Sequence, residues 1–108
     1  MKTMLQIPIL LSITRLDKEA YGMAIVEDIK KTYGREISIG AVYIALKRLQ
    51  KDGLIRSKVG EVTKKRGGRG KRIYYVQGPG RHYLRDYYDS VSIVWQDLEH
   101  YLAEHRFI

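Results

Sequence analysis

The chain has 108 residues, enough for one compact domain, and 44% of them are hydrophobic, which argues against a disordered chain. It contains no cysteine, which excludes disulfides and thiolate metal sites, and it shows no transmembrane or secretory segment, so we expect a cytoplasmic protein. Twenty Lys and Arg residues against twelve Asp and Glu residues give a net charge of +8, which favours an anionic partner such as nucleic acid or an acidic membrane surface.

Two helices are predicted in the first third of the chain. Apolar side chains recur at helical spacing through residues 3–16 and again through residues 20–33. Gly34 follows the second helix, at the position where a left-handed residue often ends a helix. Residues 35–38 then form a short extended link, in which we expect Ile37 to pair at the edge of a sheet.

A third helix, predicted over residues 38–52, is the first candidate functional element. We expect Ser38 to cap it by accepting a backbone N–H, and Gly53 to end it. Its apolar stripe consists of Ile39, Val42, Leu46 and Leu49. The residues off this stripe are Gly40, Tyr43, Ile44, Lys47, Arg48 and Lys51. Such a surface suits contact with the phosphates and base edges of DNA, although cations near a helix C-terminus are also favoured as plain solvated surface.

A strongly basic β-hairpin follows the third helix. Residues 54–62 and 73–76 have the character of two strands joined by a glycine-rich turn. The segment 58–72 holds seven Lys or Arg residues and one carboxylate, so it carries +6 of the total charge of +8. Five of these cations are predicted to contact the DNA backbone or a minor groove: Lys64, Lys65, Arg66, Arg69 and Arg72. A charged turn is usually only solvated, but this concentration of charge favours nucleic acid.

The order of these elements is typical of a winged helix-turn-helix, in which the third helix lies in the major groove of DNA. The stretches "AYGMAIVEDI", "ISIGAVYIALKRLQKDGLIRS" and "GKRIYYV" also resemble the PadR family of winged-helix transcriptional regulators. The resemblance covers residues 5–85 and implies a dimeric DNA-binding regulator in which Ser38 and Tyr43 contact phosphates. The chain departs from the family pattern at Ile44, where a proline commonly follows the tyrosine, and at "VQGPG" after the hairpin.

The last predicted helix, over residues 79–106, has an apolar stripe too long for one small domain to cover. The stripe consists of Leu84, Tyr87, Tyr88, Val91, Val94, Trp95, Leu98, Tyr101 and Leu102, at heptad-like spacing. We expect it to form the interface of a two-fold homodimer, unless the helix folds back on its own domain. The resemblance also implies a dimer. In some relatives aromatic residues of this helix hold planar ligands, so a planar small molecule near Trp95 is a further candidate partner.

Catalytic and cofactor sites are not expected. His82, His100 and His105 lack metal-ligand spacing, and no nucleotide-binding loop or catalytic constellation stands out. The sequence therefore predicts a mainly α-helical protein with a small β-hairpin: a winged helix-turn-helix over residues 1–78 and a dimerisation helix over residues 79–108. No metal, cofactor, enzymatic activity or membrane partner is predicted.

We interpret the chain as a homodimeric regulator, a repressor rather than an activator, that binds specific double-stranded DNA. One alternative is an architectural protein that binds DNA or RNA with little sequence preference. The other is a winged helix that serves as a protein-interaction module for an acidic partner.

Overall fold

The computed structural model describes residues 5–60 and 70–105. Its elements follow the predicted order: α1 (Gln6–Leu16), α2 (Gly22–Tyr33), α3 (Ile39–Lys51), β1 (Ile55–Val59), β2 (Arg72–Val76) and α4 (Gly78–Glu104), with one 3₁₀ turn (Asp17–Glu19) between α1 and α2. The strands pair antiparallel, with Ile55 opposite Val76 and Val59 opposite Arg72. The predicted fold class, mainly α with a small hairpin and a long last helix, is confirmed. None of the helices in these ranges has the length and hydropathy needed to cross a bilayer.

The first three helices and the hairpin enclose one core. Its buried side chains come from every one of these elements: Ile9, Leu10 and Ile13 on α1, Ile25 and Ile29 on α2, Val42, Leu46 and Leu49 on α3, and Ile55 and Tyr74 on the strands. Outside the core, Arg15 donates to the Asp28 carboxylate (2.6 Å) and ties α1 to α2. Burial alone would raise the pKa of Asp28, but hydrogen bonding and positive charge around it, chiefly from Arg15, outweigh burial and hold that pKa below its usual value.

The ends of α2 and α3 follow local sequence signals. The amide N–H of Ala41 donates to Ser38 Oγ (3.1 Å), which confirms the predicted cap. Gly34 and Gly53 follow α2 and α3 with φ angles of 68° and 76°, a region that residues with a Cβ rarely adopt. The cap fixes where α3 begins, and therefore which of its side chains face away from the core.

The predicted sheet pairing of Ile37 is wrong. Ile37 lies outside any strand, where its half-buried side chain packs against the core. The segment before α2 meets the hairpin instead, since the Tyr74 N–H donates to the Ala20 carbonyl oxygen (2.9 Å). Spacing along the chain cannot reveal this contact, because it joins two segments that are distant in sequence.

The last helix, α4, begins on the domain and then projects from it. Near its start, Gly80 lies so close to the Leu54 carbonyl that an added Cβ would collide with it. The Tyr83 hydroxyl donates to Gln6 Oε1 (2.9 Å) and anchors the same end to α1. The helix has 27 residues and is therefore about 40 Å long. The radius of gyration, 16.9 Å, exceeds the roughly 13 Å of a compact chain of similar length, because the far half of α4 extends beyond the core.

Candidate nucleic-acid interface

The side of α3 that faces away from the core carries all the candidate residues predicted there. Tyr43 is 49% exposed and Ile44 is 70% exposed. The other exposed members of this surface are Gly40, Lys47, Arg48 and Lys51. Ser38 is exposed at the start of the helix, where its oxygen accepts the cap bond and its hydroxyl proton can still be donated. We call these seven residues the α3 outer face.

An open groove of about 580 Å³ runs between the α3 outer face and the hairpin. Its lining residues are Tyr43, Lys47, Gln50, Lys51, Ser57, Arg72 and Tyr74. Three of them are cations and none is a carboxylate. The structure thus brings Lys47 and Lys51 of α3 together with Arg72 of β2, which the sequence had placed in two separate basic segments.

A chain of hydrogen bonds holds Arg72 in this groove. Arg72 Nη1 donates to Ser57 Oγ (3.0 Å), and the Ser57 hydroxyl donates to Gln50 Oε1 (3.2 Å). The two bonds connect both strands of the hairpin to α3, so the guanidinium is presented at a fixed place on the groove wall. Sequence reasoning missed Gln50 and Ser57. The available signal was strand alternation, which places Ser57 on the same side of β1 as the buried Ile55.

The phenol of Tyr43 lies against the first residue of α2. A Cβ on the buried Gly22 would come within 2.6 Å of the Tyr43 hydroxyl oxygen, so a larger residue there would displace the ring from this position. Tyr43 also lies close to Tyr74, whose pKa is raised by burial first and by the proximity of Tyr43 second. Tyr43 therefore joins α2, α3 and the hairpin while half of its surface stays exposed.

The base of the hairpin is cationic on its other side as well. Arg56 and Lys58 both lie over the ring of Tyr75, at 5.0 Å and 5.3 Å from its centroid. Lys71 lies 5.3 Å from the ring centroid of Tyr21, next to the start of α2. The predicted hairpin contacts Lys64, Lys65, Arg66 and Arg69 fall outside the described residues.

The apolar stripe of α4 is largely solvent-exposed in the single chain. Eight of its nine predicted residues are 37% to 67% exposed, and the ninth, Leu84, is half-buried against the core. At 100° per residue the nine positions fall within an arc of roughly 140°. A groove of about 550 Å³ lies between α1 and this stripe, bordered by Leu11, Tyr88 and Trp95 among others. In the described ranges, no three His, Asp or Glu side chains are grouped so as to bind a metal ion.

Three packed helices with a two-stranded hairpin beside the capped third helix define a winged helix-turn-helix protein, and the cationic groove is a surface suited to nucleic acid. The family model of the transcriptional regulator PadR-like family matches residues 9–86, and the chain belongs to this family. It is therefore a DNA-binding transcriptional regulator and not an enzyme, as the sequence predicted.

Solved structures of PadR proteins share the fold. A PadR-like transcription factor from Bacteroides fragilis is 27% identical with a TM-score of 0.73, over 92% of this chain and 90% of that one. A PadR family transcription regulator from Clostridium difficile is 26% identical with a TM-score of 0.69, over 89% of this chain and 97% of that one. A PadR-like transcriptional regulator from Bacillus cereus is similar in fold. It is 22% identical with a TM-score of 0.71, over 91% of this chain and 90% of that one. No curated protein sequence matches this chain significantly.

Proposed function

We propose that two copies of the chain bind one operator in double-stranded DNA and repress the gene beside it. The α3 outer face enters the major groove, and the hairpin lies on the adjacent backbone or minor groove. The observation that carries the proposal is the groove between them, where Lys47, Lys51 and Arg72 share one surface without a carboxylate.

This groove suits a DNA backbone because its two walls belong to different elements. Lys47 and Lys51 supply mobile ammonium groups from the helix, whereas Arg72 is held by Ser57 on the strand. Phosphates bound between the walls would fix how α3 is rotated in the major groove, and base edges would then be read from a defined position. Tyr43 also lines this groove and adds a phenol that can contact DNA.

The apolar stripe of α4 supports a homodimer as the binding unit. A second copy would cover side chains such as Val91, Trp95 and Leu98, which a single domain leaves in water. The stripe is continuous with α1 through the groove bordered by Leu11, so both helices would contribute to the interface. A two-fold axis would then present two α3 helices to half-sites about one turn of DNA apart.

We assign DNA recognition to residues 1–78 and pairing mainly to residues 79–108, with α1 adding to the interface. Repression follows most simply from this arrangement, because a dimer that occupies a promoter excludes polymerase without a further contact surface. The described part of the chain offers no separate domain for recruiting polymerase.

Binding to selected and to unselected DNA tests the proposal. Duplexes of about thirty base pairs, long enough for two half-sites, are enriched from a random library by the purified protein and compared by fluorescence anisotropy with shuffled duplexes. We expect the enriched duplex to bind roughly a thousandfold more tightly, with both affinities falling steeply as salt rises. Equal affinities would favour the architectural alternative, and a library from which the protein enriches no duplex would favour the protein-interaction module.

A second candidate function is a response to a planar ligand in the groove between α1 and α4. Tyr87, Tyr88 and Trp95 border this groove, and their flat faces suit stacking. Trp95 is the one tryptophan of the sequence, so its fluorescence reports on the site directly. We expect riboflavin to quench it saturably and Tyr88→Ala to weaken that binding about tenfold. Quenching that rises linearly with riboflavin concentration, as it does for a free tryptophan derivative, would exclude the site.

A further inference from the structure

The centre of the α3 outer face is apolar, although its surroundings are cationic. Ile44 is 70% exposed, and its neighbours along the helix surface are Gly40, Lys47 and Arg48, one turn away on either side. A single exposed isoleucine does not by itself indicate a functional site, since Ile93 on α4 is also exposed, at 71% of its surface. Ile44 differs from Ile93 because of its position, in the middle of the surface assigned to the major groove.

Gly40 lies one turn before Ile44 on the same side of α3. Its φ angle is not in the positive region, and an added Cβ would meet only Ser38 Oγ, at 4.0 Å. The fold therefore has no need of a glycine there, whereas glycine within a helix is less favourable than alanine. The missing side chain leaves an open space beside Ile44, through which another molecule can approach the backbone of α3.

We propose that Gly40 and Ile44 together read a thymine in each half-site, an inference that rests on the proposed docking of α3 in the major groove. The C5-methyl group of thymine is the apolar group that a base pair presents in that groove. The Ile44 side chain contacts this methyl group, and Gly40 lets the helix come close enough for the contact. Lys47 and Arg48 contact the phosphates and polar base edges on either side of this thymine.

Replacing thymine by deoxyuridine, which removes only the methyl group, tests the contact with Ile44. Each thymine of the enriched duplex is replaced in turn and the affinity is measured for the full-length protein. We expect one position in each half-site at which removing the methyl group lowers the affinity of the wild-type protein about fourfold, which is the effect of burying one methyl group. Ile44→Ala should show no loss at that position, whereas the control Ile93→Ala should keep the full loss. If the wild type is insensitive at every thymine, or if Ile44→Ala keeps the loss, the inference is wrong.

Gly40→Ala gives an independent test because stability and binding should change in opposite directions. We expect a melting temperature higher by a few degrees, since alanine favours the helix, and operator affinity lower by about tenfold, since the methyl group occupies the open space. An unchanged affinity would overturn the role of Gly40.

Failure of this inference can be told apart from failure of the proposed function. If the enriched duplex binds no more tightly than the shuffled one, the docking of α3 itself is wrong. If the preference for the enriched duplex is strong but no thymine methyl contributes, only the reading by Gly40 and Ile44 is wrong.

Discussion

Replacing Val91 and Leu98 together by aspartate is expected to make the protein monomeric and to lower its affinity for the operator by a hundredfold or more, roughly the gain that two linked sites provide. In the single chain these side chains are 37% and 45% exposed on the apolar stripe of α4, so the carboxylates are tolerated by the monomer. In the dimer they would be buried without partners, which is costly. Sedimentation equilibrium and anisotropy with the enriched duplex measure the two effects.

Ile93 provides the matched control for this variant. It is 71% exposed on the same helix but lies outside the arc of the stripe, so Ile93→Asp should remain dimeric and bind normally. The interpretation of α4 as the interface would be contradicted if the Val91→Asp and Leu98→Asp variant stayed dimeric. The need for two copies would be contradicted if it became monomeric and kept its affinity.

The second large effect is expected from the groove between α3 and the hairpin. Replacing Lys47 and Arg72 together by glutamine removes two phosphate contacts from each copy, and four from a dimer. We expect the slope of log affinity against log salt to fall by about 3.6, at about 0.9 per lost contact. Affinity for shuffled duplexes should fall in parallel, because phosphate contacts carry no sequence information.

A variant with the same change in charge controls for general electrostatics. Lys18 and Arg85 are exposed and lie outside the groove, and their replacement by glutamine also removes two charges from each copy. This variant should keep nearly the full salt slope. If the slope of log affinity against log salt fell equally in both double variants, the binding would depend on net charge alone. We expect thermal melting to show that loss of the Arg72 bond to Ser57 leaves the fold intact.

Local signals made much of the fold predictable from the sequence. Ser38 and Gly53 mark the two ends of α3 because a cap and a left-handed residue act within one turn of chain. The apolar stripe of α3 likewise identified Val42, Leu46 and Leu49 as core residues. The same reasoning placed the candidate residues of α3 on its outer side, because a helix with one buried face has a definite opposite face.

Features that depend on contacts between distant segments could not be predicted. The predicted pairing of Ile37 was wrong, and the hydrogen bond that the hairpin does make, from the Tyr74 N–H to the Ala20 carbonyl, joins segments far apart in sequence. Gln50 and Ser57 were missed as supports of Arg72 because their contact depends on the distance between α3 and β1. The periodicity of α4 gave its apolar stripe, but only packing showed that Leu84 lies against its own core.

Affinity cleavage of the enriched duplex by protein carrying an iron chelate tests whether α3 and the hairpin of two copies contact the same DNA. The chain has no native cysteine, so Asp52→Cys on the end of α3 and Val59→Cys on the hairpin can each be labelled alone. We expect each label to cut the duplex at two places related by two-fold symmetry, about one helical turn apart, with the cuts from the two labels adjacent in each half-site. A single set of cuts would show that one copy binds alone, and a hairpin label that leaves the DNA intact while the α3 label cuts it would show that the hairpin does not contact DNA.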